Sequence, residues 1–95
     1  MRDYELTFIV SARLNDKDRK TVLDDVVKWI EGGKKGKVEK EEDWGVKKLA
    51  YPIEKNTEGR YFCWQIKIDP SALAVLKQKM KLEENIIRYL LIRKD

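Results

Sequence analysis

Arg60-Tyr61-Phe62-Cys63-Trp64-Gln65-Ile66-Lys67-Ile68-Asp69-Pro70 contains a change of period that decides the fold. Up to Ile68 the apolar residues alternate: Phe62, Trp64, Ile66 and Ile68 share one face, and Tyr61, Cys63, Gln65 and Lys67 take the other. That is a half-buried strand. Asp69 and Pro70 then supply an N-cap and a first-turn proline. Leu73, Leu76 and Met80 follow at helical spacing, with Ala72 beside them. A strand thus runs directly into a helix. Downstream, residues 86–93 alternate again, with Ile87, Tyr89 and Leu91 against Ile86, Arg88, Leu90 and Ile92, and predict a last strand.

Upstream, residues 37–55 predict a long irregular strand, with Gly45 at a bulge and Pro52 confining it to an edge. Asn56 to Gly59 reads as the turn that makes 37–55 and 60–68 a hairpin. Further back, Tyr4, Leu6, Phe8 and Val10 alternate with Asp3, Glu5, Thr7 and Ile9 in a first strand over residues 2–11. Asn15 opens a helix, with Asp18 three residues on, and Val22, Leu23, Val26, Val27 and Ile30 form its stripe. Gly32 and Gly33 are read as its left-handed stop, and Lys34 to Lys37 as a basic, mobile connection. The order β-α-β-β-α-β predicts an α+β, ferredoxin-like sandwich: a four-stranded antiparallel sheet, strands one and three central, two helices on one face. The whole chain, residues 1–95, is one domain by length.

Such a sheet leaves one face bare. With Leu6, Phe8, Trp64, Ile66, Tyr89 and Leu91 turned to the helices, the bare face receives Thr7, Ile9, Cys63, Gln65, Arg88, Leu90 and Ile92. Ile9, Leu90 and Ile92 are then wet. Three wet aliphatics suit a protein partner; cover by loops, or simple tolerance of exposed apolar residues, is the alternative.

Composition removes several chemistries. There is no histidine, which excludes Ser–His and Cys–His nucleophiles and most transition-metal sites. The one cysteine, Cys63, can form neither an internal disulfide nor a Cys-rich zinc site, and reads as a small packing residue in a reduced, cytoplasmic protein. The glycines do not match a dinucleotide or P-loop pattern. No apolar run is long enough to span a bilayer, and Arg2, Asp3 and Glu5 stand where a secretory leader would need an apolar core. Glu39, Glu41, Glu42 and Asp43 alternate with Lys37 and Lys40 and read as a solvated edge that resists strand addition rather than an acid–base or cation site. Asp24 and Asp25 read as solvated surface. Arg13 follows the first strand, but without the glycine-rich phosphate cradle of acyl-phosphate hydrolases on this fold. No catalytic, metal, cofactor or small-molecule substrate site is expected.

Net charge is +4, and the excess lies in the second half, which suits a polyanion. Lys47 and Lys48 with Tyr51, and Arg60 with Tyr61, interleave cations and rings as nucleic-acid binders do. A solvated hairpin is the competing reading of that spacing, and the aromatic signature of the RNA-recognition motif is not met.

Longer stretches carry a resemblance. Met1-Arg2-Asp3-Tyr4-Glu5 resembles the M-R-x-Y-E opening of bacterial small-subunit ribosomal protein number six. Trp44-Gly45-Val46-Lys47-Lys48-Leu49-Ala50-Tyr51-Pro52-Ile53 is similar to that family's W-G-x-[KR]-[KR]-L-A-Y-P-I block. Lys55, Glu58-Gly59 and Tyr61 match the K-x-x-x-G-x-Y that follows, and Arg88-Tyr89-Leu90 the R-Y-L of the last strand. The likeness runs in order from residue 1 to about residue 93. It implies a structural, non-enzymatic role in the small ribosomal subunit. It also implies binding to the central domain of small-subunit ribosomal RNA together with small-subunit ribosomal protein number eighteen, and the fold already reached. By position it marks Arg2, Tyr4, Lys47, Lys48, Tyr51, Arg60 and Arg88 for the RNA and partner surfaces. Leu90, Ile92 and Arg93 join them from the last strand. Lysines at 47 and 48 replace the commoner arginines, which weakens a bidentate phosphate grip. The long C-terminal tail of many members is absent from this sequence. A protein-interaction or sensing domain of the same fold, without RNA, is the alternative.

Overall fold

The computed structural model describes residues 1–94. Its strands are β1 (Arg2–Ser11), β2 (Gly36–Ile53), β3 (Asn56–Ile68) and β4 (Ile86–Arg93); its helices are α1 (Asp16–Glu31) and α2 (Pro70–Leu82). The antiparallel sheet runs β2-β3-β1-β4, so β1 and β3 are central as expected. Among the described residues, no helix is long and apolar enough to cross a membrane.

The helix-facing residues follow the predicted parity. Leu6, Phe8, Val10, Phe62, Trp64, Ile66 and Ile68 are buried with Val22, Val26 and Ile30 of α1 and Leu76 and Met80 of α2. Phe8 sits at the centre. It stacks on Phe62 at 5.3 Å between centroids and meets Trp64 edge-on at 5.1 Å, arrangements that aromatic quadrupoles favour. Tyr89 and Leu91 pack against this core from β4, but the residue buried at the start of that strand is Ile86 and not Ile87 as the alternation predicts, because the register shifts between Ile9 and Val10. Both helix starts are capped as the sequence predicts. The Asn15 side chain accepts from the Asp18 amide at 2.8 Å, and Asp69 accepts from the Ser71 amide at 2.9 Å ahead of Pro70.

Four local expectations are corrected. The hairpin turn is not Asn56 to Gly59 but Glu54-Lys55, whose φ angles are +48° and +68°, and β3 already begins at Asn56. Asn56 acts through its side chain, which donates to the Ile53 and Glu54 carbonyls. Gly59 is needed for space: a Cβ there would lie 2.3 Å from Ile9 Cγ2. Gly32 is not left-handed (φ −63°); the reversal falls on Gly33 (φ +80°) and Lys34 (φ +58°). The segment after α1 is not an open connection but a short 3₁₀ turn, Gly32–Lys34, after which Gly36 enters β2 directly. Ile9 is half-buried rather than wet, because Gly59 packs against it.

Candidate nucleic-acid and partner interface

Helices cover one face of the sheet; the candidate residues of the other face come from three strands. On β4, Leu90 and Ile92 stand 57% and 46% exposed, and Arg88 is exposed beside them. On β2, pairing runs, past two single-residue register shifts, to Lys48↔Glu58 and resumes only at Ile53↔Asn56. Residues 49–52 therefore stand opposite Thr57 alone and arch out of the ladder. Pro52, which could not donate to a ladder, lies in this arch. Leu49 is buried and anchors it, while Tyr51 is 55% exposed. The arch carries Tyr51 to the far side of the sheet, where the Arg88 guanidinium carbon lies 5.5 Å from its ring centroid. The tip is tied down by Arg13, which donates to the Lys55 carbonyl at 3.0 Å, and by Ser11, which donates to Asn56 Oδ1 at 3.3 Å.

The second cation of this end is held the same way. The bulge between Asp43 and Gly45, with Gly45 at φ +81°, displaces Trp44 from the ladder. Lys47 Nζ then lies 5.2 Å from the Trp44 ring and 5.7 Å from the Tyr61 ring. A cation held by rings keeps its hydrogen-bond donors for another ligand. The opposite end of the face is neutralised by carboxylates. Lys94 meets Glu5 at 3.1 Å, Lys40 meets Glu42 at 3.1 Å, and Lys67 lies 3.7 Å from both Asp3 and Glu39. Lys94 holds Glu5 below the usual carboxylate range, with help from the Cys63 thiol, which donates to it at 3.3 Å. Burial pushes the thiol up, in keeping with a packing role. The bare face is thus polarised: an ion-paired end, and an end where, among the described residues, Lys47 and Arg88 meet rings and no carboxylate.

The remaining predicted residues do not join this cluster. Arg60 shares its register row with buried Val10, on the helix side. It donates from Nε and Nη2 to Asp43 at 2.7–3.1 Å, and this bidentate pair lowers the Asp43 pKa and raises its own. Lys48 is exposed opposite Glu58, one residue out of phase with Lys47. Tyr4, 8% exposed, belongs to the core. Arg2 and Arg93 lie exposed at the far end of the sheet, opposite Ile68 and Tyr4. Sequence reading missed the grip of Trp44 and Tyr61 on Lys47 and the meeting of Tyr51 with Arg88. The bulge glycine and the in-strand proline were the only signals of either.

A family model described as ribosomal protein S6 matches residues 3–93. The small ribosomal subunit protein bS6 of Parabacteroides distasonis is 36% identical over 95 residues, all of this chain and 80% of that protein. That of Caldanaerobacter subterraneus is 34% identical over 96 residues, covering 100% and 99%. The bS6 of Geobacter sp. strain M21 is 40% identical over 88 residues, 93% of this chain and 65% of its own length. The crystal structure of 30S ribosomal protein S6 from Thermotoga maritima superimposes with a TM-score of 0.90 at 33% identity, covering 98% of this chain and 87% of that one.

Proposed function

This chain belongs to the ribosomal protein S6 family, and on that premise we propose that it is a non-enzymatic component of the small ribosomal subunit. It acts in the cytoplasm, within the ribosome, as one domain over residues 1–95. It binds the central domain of small-subunit ribosomal RNA together with small-subunit ribosomal protein number eighteen. The observation that carries this reading is the polarised bare face. Lys47 and Arg88 keep their donors for phosphates because rings, not carboxylates, hold them. The exposed Tyr51 offers a stacking surface beside Arg88. Leu90 and Ile92 form an apolar strip with Arg88 at its rim, the composition of a protein interface core. RNA therefore takes the hairpin end, with Lys48 adding charge, and the protein partner takes the β4 side. Arg60 serves by fixing the β2 bulge through Asp43, and Tyr4 by packing. Arg2 and Arg93 supply charge at the other end of the sheet.

The test joins two variants. Lys47→Ala with Lys48→Ala should weaken RNA binding and lower the salt slope by about 0.9 for each phosphate no longer neutralised, by analogy with duplex DNA. Leu90→Asp should leave the melting temperature of the free chain almost unchanged, since residue 90 is in water there. It should abolish capture of the partner, because the complex would bury an unpaired carboxylate. An unchanged salt slope removes the RNA assignment of the hairpin; normal capture by the Leu90→Asp chain removes the partner assignment of β4.

A further inference from the structure

The two edges of the sheet are built differently. The outer edge of β2 carries Lys37, Glu39, Lys40, Glu41, Glu42 and Asp43 and is bent by register breaks after Val38, Asp43 and Lys48. Charges and bulges of this kind keep other strands from adding. β4, the other edge, reads Ile86-Ile87-Arg88-Tyr89-Leu90-Leu91-Ile92-Arg93. It has no carboxylate, and its one register break is at its start, beside Ile9 and Val10. Its outward backbone groups can be assigned. The Lys94 amide donates to the Asp3 carbonyl at 2.8 Å, so 94 and 3 form a hydrogen-bonded pair. Stepping by two along the register makes Ile92↔Glu5 and Leu90↔Thr7 bonded pairs as well. Tyr89 and Leu91, between them, turn their N–H and C=O away from β1. Among the described residues, no backbone partner meets them on that side. A groove of about 760 Å³ opens against the same stretch, its floor formed by Met80, Ile86 and Tyr89 and its walls carrying charged side chains, Glu54 of the hairpin tip and Glu83 and Glu84 after α2 among them.

We propose that the protein partner docks on this edge as a fifth strand, pairing its backbone with Tyr89 and Leu91 and laying alternate apolar side chains on Leu90 and Ile92. The inference rests on the partner reading above and adds how the partner is held. An edge alternates donor and acceptor at strand spacing, and another extended polypeptide alternates in the same way; an RNA backbone offers phosphate acceptors and 2′-hydroxyls that do not repeat at that spacing. The segment is apolar at every second residue where it lies on Leu90 and Ile92, since β4 itself has two arginines and no acid to receive a cation there.

Amide exchange measured residue by residue on the full chain tests this, with purified small-subunit protein number eighteen as the probe. In the free chain the Tyr89 and Leu91 amides should exchange freely, while those of Leu90 and Ile92, already bonded to β1, should be protected. At a partner concentration one hundred times its Kd, the Tyr89 and Leu91 amides should slow about a hundredfold. If the complex forms and Leu90→Asp abolishes it, yet these two amides stay fast, the partner lies on the face and strand addition is wrong. Slowing that grows with the chain's own concentration, or that an RNA fragment alone produces, gives the edge to a second copy or to RNA and overturns the inference. If no complex forms, the partner reading itself fails and the inference falls with it.

Discussion

Gly59 fixes how closely the hairpin lies against β1. Its φ is ordinary, so the requirement is space: a Cβ would start 2.3 Å from Ile9 Cγ2 and 3.6 Å from Ile87 Cδ1. Something must move to admit it, and the ladder row Ser11↔Gly59 holds the backbone in place. Gly59→Ala should therefore destabilise the chain by about 1–3 kcal/mol, read as a lower urea midpoint. An unchanged midpoint would show that the Ile9 side chain turns aside freely. The same scale separates the cations. Arg60 commits its Nε and Nη2 donors to Asp43, whereas Lys47 and Arg88 lean on rings, so equal formal charge at these positions does not mean equal capacity to bind an anion.

At the scale of the element, the β2–β3 hairpin does most of the positioning. Two devices shape it: the Gly45 bulge that sets Trp44 beside Lys47, and the 49–52 arch that delivers Tyr51 to Arg88. Both are extra residues in β2 against a shorter β3, and such insertions bend a strand and re-aim its side chains. Its two-residue turn is strained, because Glu54 and Lys55 both adopt positive φ. Replacing them by Asn-Gly supplies the residues such a turn favours and should stabilise the chain by about 1 kcal/mol, seen as a higher melting temperature. A lower one would mean that the turn draws its stability from the Glu54 or Lys55 side chains.

For the whole molecule, the titrating groups set an acid limit. Glu5, held down first by Lys94, Asp43, held down first by Arg60, and Asp69, held down first by the Ser71 amide, all have lowered pKa values. A carboxyl depressed in the folded state contributes stability above its ordinary range, about pH 4, and that contribution is lost as pH falls through the depressed value. Stability should thus decline on the acid side. Asp43→Asn should cost less than about 1 kcal/mol at pH 7, since the pair is partly solvated, and the difference from the parent chain should shrink as pH falls through the depressed Asp43 value. Urea titrations over a series of pH values from 7 into acid decide it; a difference that does not shrink would mean that Asp43 works by shape, not charge. Cys63 acts oppositely. Its raised pKa stabilises the fold below the ordinary thiol range, and that stability is lost as pH rises beyond it.

Element order, the helix caps, the inward faces of β1 and β3, the inward Tyr89 and Leu91 of β4 and the exposure of Leu90 and Ile92 were all legible in the sequence. Each of these is a periodic or nearest-neighbour property: a two-residue alternation and a burial stripe are local signals that a buried face enforces along its length. The ten-residue block from Trp44 to Ile53 also carried the family likeness that the S6 family match bears out. Which cations are committed and which are available depended instead on the folded arrangement. Arg60 and Asp43 are 17 residues apart, and Tyr51 and Arg88 meet only because an arch and three strand spacings bring them together. Folding also moved the turn from Asn56–Gly59 to Glu54-Lys55. Asn and Gly are usually turn residues, but here a side-chain amide capping two carbonyls and a lack of room beside Ile9 required them. Bulges and close approaches depend on what lies across the sheet, and no local pattern encodes that neighbour.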